Sequence, residues 1–175
     1  MMYKENWEQT REKFKNYWKQ QNTGRPLMCV IARKPEIEPY SQGKPVEGGC
    51  RDVICQGKYY NLPEELKWKD MDDKYLDADR VVARYRQFCE THEFLGESFP
   101  NLDVDFGPGS LAAYLGSDIG FKEDTVWFKS CLEDWEDVPE FKYDPDSKWF
   151  QKHLEFVKRC KELVGDDFLI DMPDL

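Results

Sequence analysis

The segment from Phe99 to Gly116, FPNLDVDFGPGSLAAYLG, combines the residue types from which many α/β proteins build a ligand site. Apolar residues at positions 102, 104 and 106 alternate with Asp103 and Asp105, and this period of two predicts a strand that carries carboxylates. A glycine-rich turn follows, and Ser110 is a candidate N-cap for a short helix. The amides at such a helix start suit an anionic group. The alternative is a plain turn whose glycines serve only the backbone geometry.

Charged side chains also follow the two other apolar runs that predict strands. Leu27 to Ala32 is a continuous apolar run, typical of a strand buried on both faces, and Arg33 follows it. Phe168 to Ile170 predicts a last strand, and Asp171 and Asp174 come after it. Each of these charges is either a ligand-binding group or a solvated strand end.

Amphipathic segments separate these strands, and the order of elements favours an α/β fold with a parallel sheet and helices on its outside. We expect neighbouring parallel strands at 27–32, 102–106 and 167–172. Because the carboxyl ends of parallel strands share an edge, the candidate site residues should converge there. These residues are Arg33, Asp105, Ser110, Asp171 and Asp174.

Helical spacing predicts the positions of the helices and their buried faces. In the first helix an aromatic stripe that includes Trp7, Phe14 and Trp18 is expected to pack in the core. In the last helix positions 150, 154, 157 and 160, joined by 156 and 163, form the expected apolar face. Helices are predicted at 4–21, 77–95, 111–115 and 148–164, a hairpin at 119–121 with 125–128, and an irregular segment at 36–75.

Length and charge limit the classes of function. The chain has 175 residues and is expected to form a single domain. Its net charge of −10 argues against nucleic acid and against anionic membranes as partners. The N-terminal residues contain no apolar signal region, and no apolar run reaches the roughly 20 residues that cross a bilayer. We therefore expect a cytoplasmic protein.

Cysteine and histidine give weaker signals. The chain has six cysteines, which in a cytosolic protein are expected to be reduced thiols. Cys50 and Cys55 lie close together in the irregular segment, but no histidine stands nearby to complete a zinc site. Cys89 and His92 are one helical turn apart and could share a metal, although core packing is the more common use of such a pair.

Several segments together resemble a known family. They are the aromatic stripe of the first helix, Arg25 to Val30, the segment from Phe99 to Gly116, and Asp124 to Lys129. The chain resembles uncharacterised bacterial members of the uroporphyrinogen decarboxylase superfamily over nearly its whole length, except at 41–69. That superfamily also holds cobalamin-dependent methyltransferases such as methylcobalamin:coenzyme M methyltransferase. The resemblance implies the N-terminal part of a (β/α)8 barrel, with its cleft at the carboxyl ends of the strands.

The resemblance transfers few functional residues. The decarboxylases have an Arg-Gln-Ala-Gly-Arg segment after the first strand, where this chain reads Ala32 to Pro35, so at most Arg33 is kept. Their essential aspartate follows the second strand, and Asp105 is the nearest match, with Asp103 as the other candidate. The methyltransferases bind zinc through residues late in the barrel, a region that this chain does not contain. No cofactor is therefore assigned to the chain itself, whereas a corrinoid and zinc are expected in a complete relative.

Methyl transfer that involves a corrinoid carrier is the expected function of full-length relatives. Uroporphyrinogen carries eight carboxylates, and this chain offers few cations to bind them. In methyl transfer Asp105 would orient or protonate a bound group. Uroporphyrinogen decarboxylation is one alternative. A non-catalytic fragment or subunit is the other: an incomplete barrel is expected to be inactive alone and to pair with a second copy, a second barrel half or a corrinoid protein.

Overall fold

The computed structural model describes residues 1–22, 24–37, 62–123, 125–134, 136, 138 and 140–171. Cys50, Cys55 and Asp174 lie outside these residues. The fold is mixed α/β, with small two-stranded sheets and several helices, and the described part of the chain contains no closed barrel. The helices are α1 (Trp7–Trp18), α2 (Met71–Tyr75), α3 (Ala78–Thr91), α4 (Ser110–Tyr114) and α5 (Lys148–Val164), with a 3-10 turn at Glu64–Leu66; the strands are β1 (Cys29–Arg33), β2 (His92–Gly96), β3 (Asn101–Leu102), β4 (Asp118–Phe121), β5 (Val126–Lys129) and β6 (Leu169–Ile170).

The pairing of β3 with β6 is the parallel contact that the sequence predicts. Asn101 lies opposite Leu169, and Leu102 lies opposite Ile170. Both strands are shorter than predicted, although the alternation continues beyond β3, where Val104 and Phe106 are buried. This parallel pair positions the carboxyl edge from which the candidate site is built.

Strand β1 is not the buried parallel neighbour predicted over 27–32. It pairs antiparallel with β2, with Cys29 opposite Gly96 and Arg33 opposite His92. Its first residues, Cys29 and Val30, are exposed. The prediction is wrong because a continuous apolar run does not show which partner a strand has, and here the partner is a strand that the sequence predicts as helix.

Helix α3 ends earlier than the predicted range of 77–95, although the helical spacing of apolar residues continues. At the last turn the His92 ring nitrogen Nδ1 lies 3.0 Å from the carbonyl oxygen of Phe88. In a continuing helix that carbonyl would accept from the backbone amide of His92. A side chain that bonds this carbonyl competes with the helical bond, so the chain leaves the helix and enters β2.

Helix α5 has the bounds predicted from the sequence, and it ends at Gly165, whose φ of +54° suits glycine. Its buried face is rotated relative to the expected one, since positions 150, 154 and 157 are only half-buried. The expected and the observed apolar faces of α5 are adjacent, and in both of them the residues are three or four positions apart. The periodicity of the sequence alone therefore does not show which face is buried. The buried residues are Trp149, His153, Phe156, Cys160 and Val164.

Helix α1 contributes less to the core than predicted. The rings of Trp7 and Phe14 pack against Phe99, with centroids 5.2 and 5.5 Å away. Trp18 is 78% exposed, so core packing is wrong for this residue. The helix stops there because Gln20 has a φ of +57°, outside the helical region.

The hairpin predicted at 119–121 with 125–128 is confirmed as the antiparallel pair of β4 and β5. Its strand β5 packs onto the glycine-rich turn before α4. A Cβ atom at Gly109 would lie 2.6 Å from the ring of Phe128, so only glycine fits there without a shift.

The core lies between α3, α5 and the parallel pair. Tyr85 of α3 accepts a hydrogen bond from the Asn101 amide at 2.6 Å and packs edge-on against Phe168, with ring centroids 4.7 Å apart. These contacts fix the start of β3 and the entrance to β6 relative to the same helix. Among the described helices none has the length and apolar character needed to span a bilayer.

Candidate functional site

The carboxyl edge of β3 and β6 brings three aspartates together. The amide of Asp171 donates to the carbonyl oxygen of Leu102 at 2.8 Å, which continues the parallel register by one residue. Asp103 and Asp171 therefore lie side by side where the two strands end. Asp103 and Asp105 are half-buried, and Asp171 is exposed. This edge contains both candidates for the site acid.

Hydrogen bonds from the backbone fix Asp103 and Asp105, the two aspartates that follow β3. The amide of Asp105 donates to Oδ1 of Asp103 at 3.2 Å, and the amide of Gly107 donates to Oδ1 of Asp105 at 2.7 Å. Each carboxylate thus accepts from the residue two positions later, as in an Asx turn. The pattern holds the segment in one conformation and sets the direction of both side chains.

Ser110 joins this segment from the other side of the turn. It is 1% exposed, and its hydroxyl donates to the carbonyl oxygen of Gly107 at 3.0 Å. Gly107 therefore contacts both Asp105 and Ser110. The N-cap position belongs to Gly109, with no side-chain cap, so the prediction that Ser110 caps α4 is wrong. The steric fit of Gly109 under Phe128 supports the plainer interpretation of the turn, in which the glycines serve the backbone geometry.

A buried histidine lies behind the acidic segment. Nε2 of His153 is 2.6 Å from the carbonyl oxygen of Val104, between the two aspartates, and Nδ1 is 2.6 Å from the hydroxyl of Tyr114. A carbonyl oxygen only accepts, so Nε2 carries the proton and Nδ1 accepts from Tyr114. Burial lowers the pKa of His153 despite the Val104 carbonyl, which keeps the ring neutral. Burial likewise raises the pKa of Tyr114.

Sequence reasoning does not single out Tyr114 or His153. Histidine at 153 has helical spacing to Trp149 and Phe156, and a polar residue on an apolar stripe is the signal that could have marked it. Its tyrosine partner lies 39 positions earlier in another helix, and no local pattern links the two residues.

Arg33 lies on a different sheet from the acidic edge. It pairs with His92 at the end of the β1–β2 ribbon, and the amide of Lys34 donates to the Thr91 carbonyl there. Asp105 and Ser110 thus lie on one segment, which leaves β3 beside Asp171, and Arg33 has a separate setting beside the end of α3. Asp174 lies outside the described residues.

The paired Cys89 and His92 belong to the core. Cys89 is 1% exposed, and the His92 ring stacks on Phe88 with centroids 4.1 Å apart. Burial lowers the pKa of His92, and the nearby cations Arg33 and Lys34 lower it further. No group of three or more His, Cys, Asp and Glu side chains able to hold a metal occurs in the residues that the structure describes.

A buried carboxylate outside the edge, Glu97, forms ion pairs that connect elements. Glu97 is 1% exposed, and Arg25 contacts both of its oxygens at 2.7 Å while Lys13 contacts Oε1 at 2.7 Å. These hydrogen bonds lower the pKa of Glu97 to about 2. The pair ties α1 and the approach to β1 to the end of β2, so its role is to stabilise the fold.

A cleft of about 600 Å³ opens beside Tyr114. Its cations are already paired, since Lys142 contacts Glu140 at 2.9 Å and Lys148 contacts Asp118 at 3.7 Å. Asp144 also lines the cleft, and its Oδ1 accepts from the amide of Asp146 at 2.9 Å. Its lining includes Tyr114, Ser117, Asp118, Lys142, Lys148 and Trp149.

Comparisons with protein-family models, with curated proteins and with solved structures find no match to this chain. Membership in the superfamily that the sequence resembles therefore stays a prediction.

Proposed function

We propose that the chain is the N-terminal part of a uroporphyrinogen decarboxylase-like barrel that acts in methyl transfer involving a corrinoid carrier. One observation carries the proposal: the parallel register of β3 and β6 puts Asp103, Asp105 and Asp171 at one carboxyl edge. Ligand sites of α/β barrels lie at the carboxyl ends of their strands. The acidic edge is therefore the natural place for a substrate.

The charge of the edge favours a corrinoid over a porphyrinogen. The corrin ring bears peripheral carboxamides, whose N–H groups donate hydrogen bonds to carboxylates. Uroporphyrinogen bears eight carboxylates, which three aspartates would repel. Arg33, the candidate cation, lies on the β1–β2 ribbon. The acidic edge therefore supports methyl transfer over decarboxylation.

Within this proposal Asp105 orients the corrinoid or protonates the group bound beside it. Its Oδ1 accepts from the Gly107 amide at 2.7 Å, so the carboxyl group is held in a fixed direction. A preorganised acceptor loses little conformational freedom when a donor binds. Asp171 adds a second acceptor from the neighbouring strand. We assign no zinc ligand to the residues that the structure describes.

Equilibrium dialysis against methylcobalamin, and in parallel against uroporphyrin, tests the proposal. We expect methylcobalamin to bind and uroporphyrin to stay outside the protein compartment. Asp105→Asn keeps the oxygen that accepts from Gly107 but removes the charge, and the affinity for methylcobalamin should fall about tenfold. Asp166→Asn, at an exposed aspartate beyond α5, is the matched control and should bind like the wild type.

The outcomes separate the candidate functions. Binding of uroporphyrin without methylcobalamin would contradict the proposal and favour decarboxylation. Binding of neither compound would contradict both ligand assignments and favour a non-catalytic role. An unchanged affinity in Asp105→Asn with a reduced affinity in Asp103→Asn would make Asp103 the site acid.

A further inference from the structure

Val104 lies between the two candidate site acids, and its backbone carbonyl is bound by a side chain rather than by a neighbouring strand. Strand β3 ends at Leu102, two residues earlier. The carbonyl oxygen of Val104 accepts from Nε2 of His153, at 2.6 Å, in the interior of the protein. A buried carbonyl beyond the end of a strand needs such a partner, because an unmet acceptor costs free energy.

The same imidazole contacts the residue on the far side of Asp105. The ring of Phe106 stacks on His153 with centroids 4.2 Å apart and an interplanar angle of 19°. His153 therefore holds the segment at Val104 by a hydrogen bond and at Phe106 by ring stacking. Asp105 lies between these two contacts and is half-buried, whereas Val104 and Phe106 on either side of it are buried.

The Val104 carbonyl determines which nitrogen of His153 carries the proton, and Tyr114 bonds the other nitrogen. The Tyr114 hydroxyl lies 2.6 Å from Nδ1, and it donates there because Nδ1 has no proton when Nε2 donates to Val104. The buried ring is thereby fixed in one tautomer and one orientation. His153 itself is 2% exposed, so it does not contact a ligand at the edge.

We propose that His153 and Tyr114 are positioning residues that hold the backbone from Asp103 to Gly107 in the conformation that presents the two carboxylates. The ligand part of this inference rests on the proposed function, whereas the positioning itself does not. Loss of the His153 donor would release the Val104 carbonyl. The hydrogen bonds from Asp105 and Gly107 amides to the carboxylates of Asp103 and Asp105 would then weaken.

Amide hydrogen exchange of Asp105 and Gly107, measured by NMR, tests the positioning directly, because these two amides donate to the two carboxylates. The variants are His153→Leu, which removes the donor, and His153→Gln, whose side-chain amide keeps one donor and one acceptor. Tyr114→Phe removes only the hydroxyl. Tyr75→Phe is the matched control, since it removes the hydrogen bond from another tyrosine hydroxyl, to the Lys122 carbonyl.

Relative to the exchange of the Phe156 amide within α5, we expect both edge amides to exchange about tenfold faster in His153→Leu and Tyr114→Phe. His153→Gln should restore exchange to within about threefold of the wild type, and Tyr75→Phe should leave it unchanged. If His153→Leu does not fold, the comparison of Tyr114→Phe with Tyr75→Phe decides. The inference would be overturned if, in every variant, the exchange rates of the Asp105 and Gly107 amides changed only by the same factor as the exchange rate of the Phe156 amide.

Methylcobalamin dialysis on the same proteins separates this inference from the proposed function. If the wild type binds methylcobalamin, the affinity should fall in His153→Leu and Tyr114→Phe and should stay close to the wild-type value in His153→Gln. If the wild type does not bind it while edge exchange responds as expected, the proposed function fails and the positioning role stands. If binding is present and edge exchange does not respond, the positioning role fails alone.

Discussion

The amide of Asp171 donates to the carbonyl oxygen of Leu102 at 2.8 Å, and this bond aligns the ends of two parallel strands. Because the register is parallel, both strands deliver their carboxyl ends to the same edge. The aspartates that follow each strand are thereby brought together from positions far apart in the chain. The candidate site depends on this alignment more than on any local motif.

Leu102, whose carbonyl accepts this bond, should also stabilise the fold through its buried side chain. It is 2% exposed and packs in the core, so Leu102→Ala should lower the free energy of unfolding by about 3 kcal/mol. Leu169→Ala, on the paired strand, removes the same atoms from a side chain that is 38% exposed, and should cost less than about 1 kcal/mol. Urea denaturation of both variants measures the difference. Equal losses would mean that Leu102 is not a core residue.

Glu97 should stabilise the fold through its ion pairs. Glu97→Gln removes the charge that Arg25 and Lys13 bind, and should lower the free energy of unfolding at pH 7 by about 2 kcal/mol. Glu93→Gln, at an exposed position of the preceding strand β2, is the control and should have little effect. Thermal or urea unfolding checks the pair. A Glu97 variant as stable as the control would refute the assignment.

Acid should destabilise the protein in two separate pH windows. The pKa values of His92 and His153 are lowered from 6.5 in the folded state, chiefly by burial, so the unfolded chain binds protons that the folded protein excludes. Stability is therefore complete above about 6.5 and declines as the pH falls below it. The pKa of Glu97 is lowered from 4.5 to about 2, so its contribution is lost only as the pH falls through that lower range.

Urea midpoints measured from pH 8 to pH 3 check both windows. His153→Gln should flatten the decline below pH 6.5, and Glu97→Gln should flatten only the decline below 4.5. Stability that stays constant between pH 7.5 and 5 in the wild type would show that the two histidines are not held neutral by the fold.

Gly109 and Phe128 should be energetically coupled. A Cβ atom at position 109 would meet the Phe128 ring at 2.6 Å, so Gly109→Ala should lower the free energy of unfolding by about 2 kcal/mol. In a Phe128→Ala background the space is already vacated, and Gly109→Ala should then cost little. A double-mutant cycle by urea denaturation measures the coupling. Additive effects would mean that the turn does not pack on β5.

Local patterns predict the parts of this fold that local interactions determine. Helix α5 and the β4–β5 hairpin follow from spacing and turn residues close in sequence, and both are confirmed. The parallel pair of β3 and β6 is also confirmed, whereas the third predicted parallel strand, at 27–32, has a different partner although it shows the same apolar composition and charged end.

The remaining features depend on partners that are distant in the chain. Strand β1 pairs with β2 because a histidine ring takes the carbonyl of Phe88 and ends α3, and helical spacing does not reveal this competition. In the candidate site the aspartates could be predicted, because they come directly after the apolar runs that mark the strands. The pairing of His153 with Tyr114 and Val104 depends on how α5 rotates against β3, which the two adjacent apolar stripes of α5 leave open.

NMR titration of the amide spectrum with methylcobalamin tests most directly whether the β3–β6 carboxyl edge binds a corrinoid. We predict that the largest shift changes fall on Asp103, Asp105, Gly107 and Asp171, and that they are reduced in Asp105→Asn but not in Asp166→Asn. Shift changes that cluster instead on Lys142, Lys148 and Trp149 of the cleft beside Tyr114, or a spectrum that does not change at saturating methylcobalamin, would contradict the proposed site.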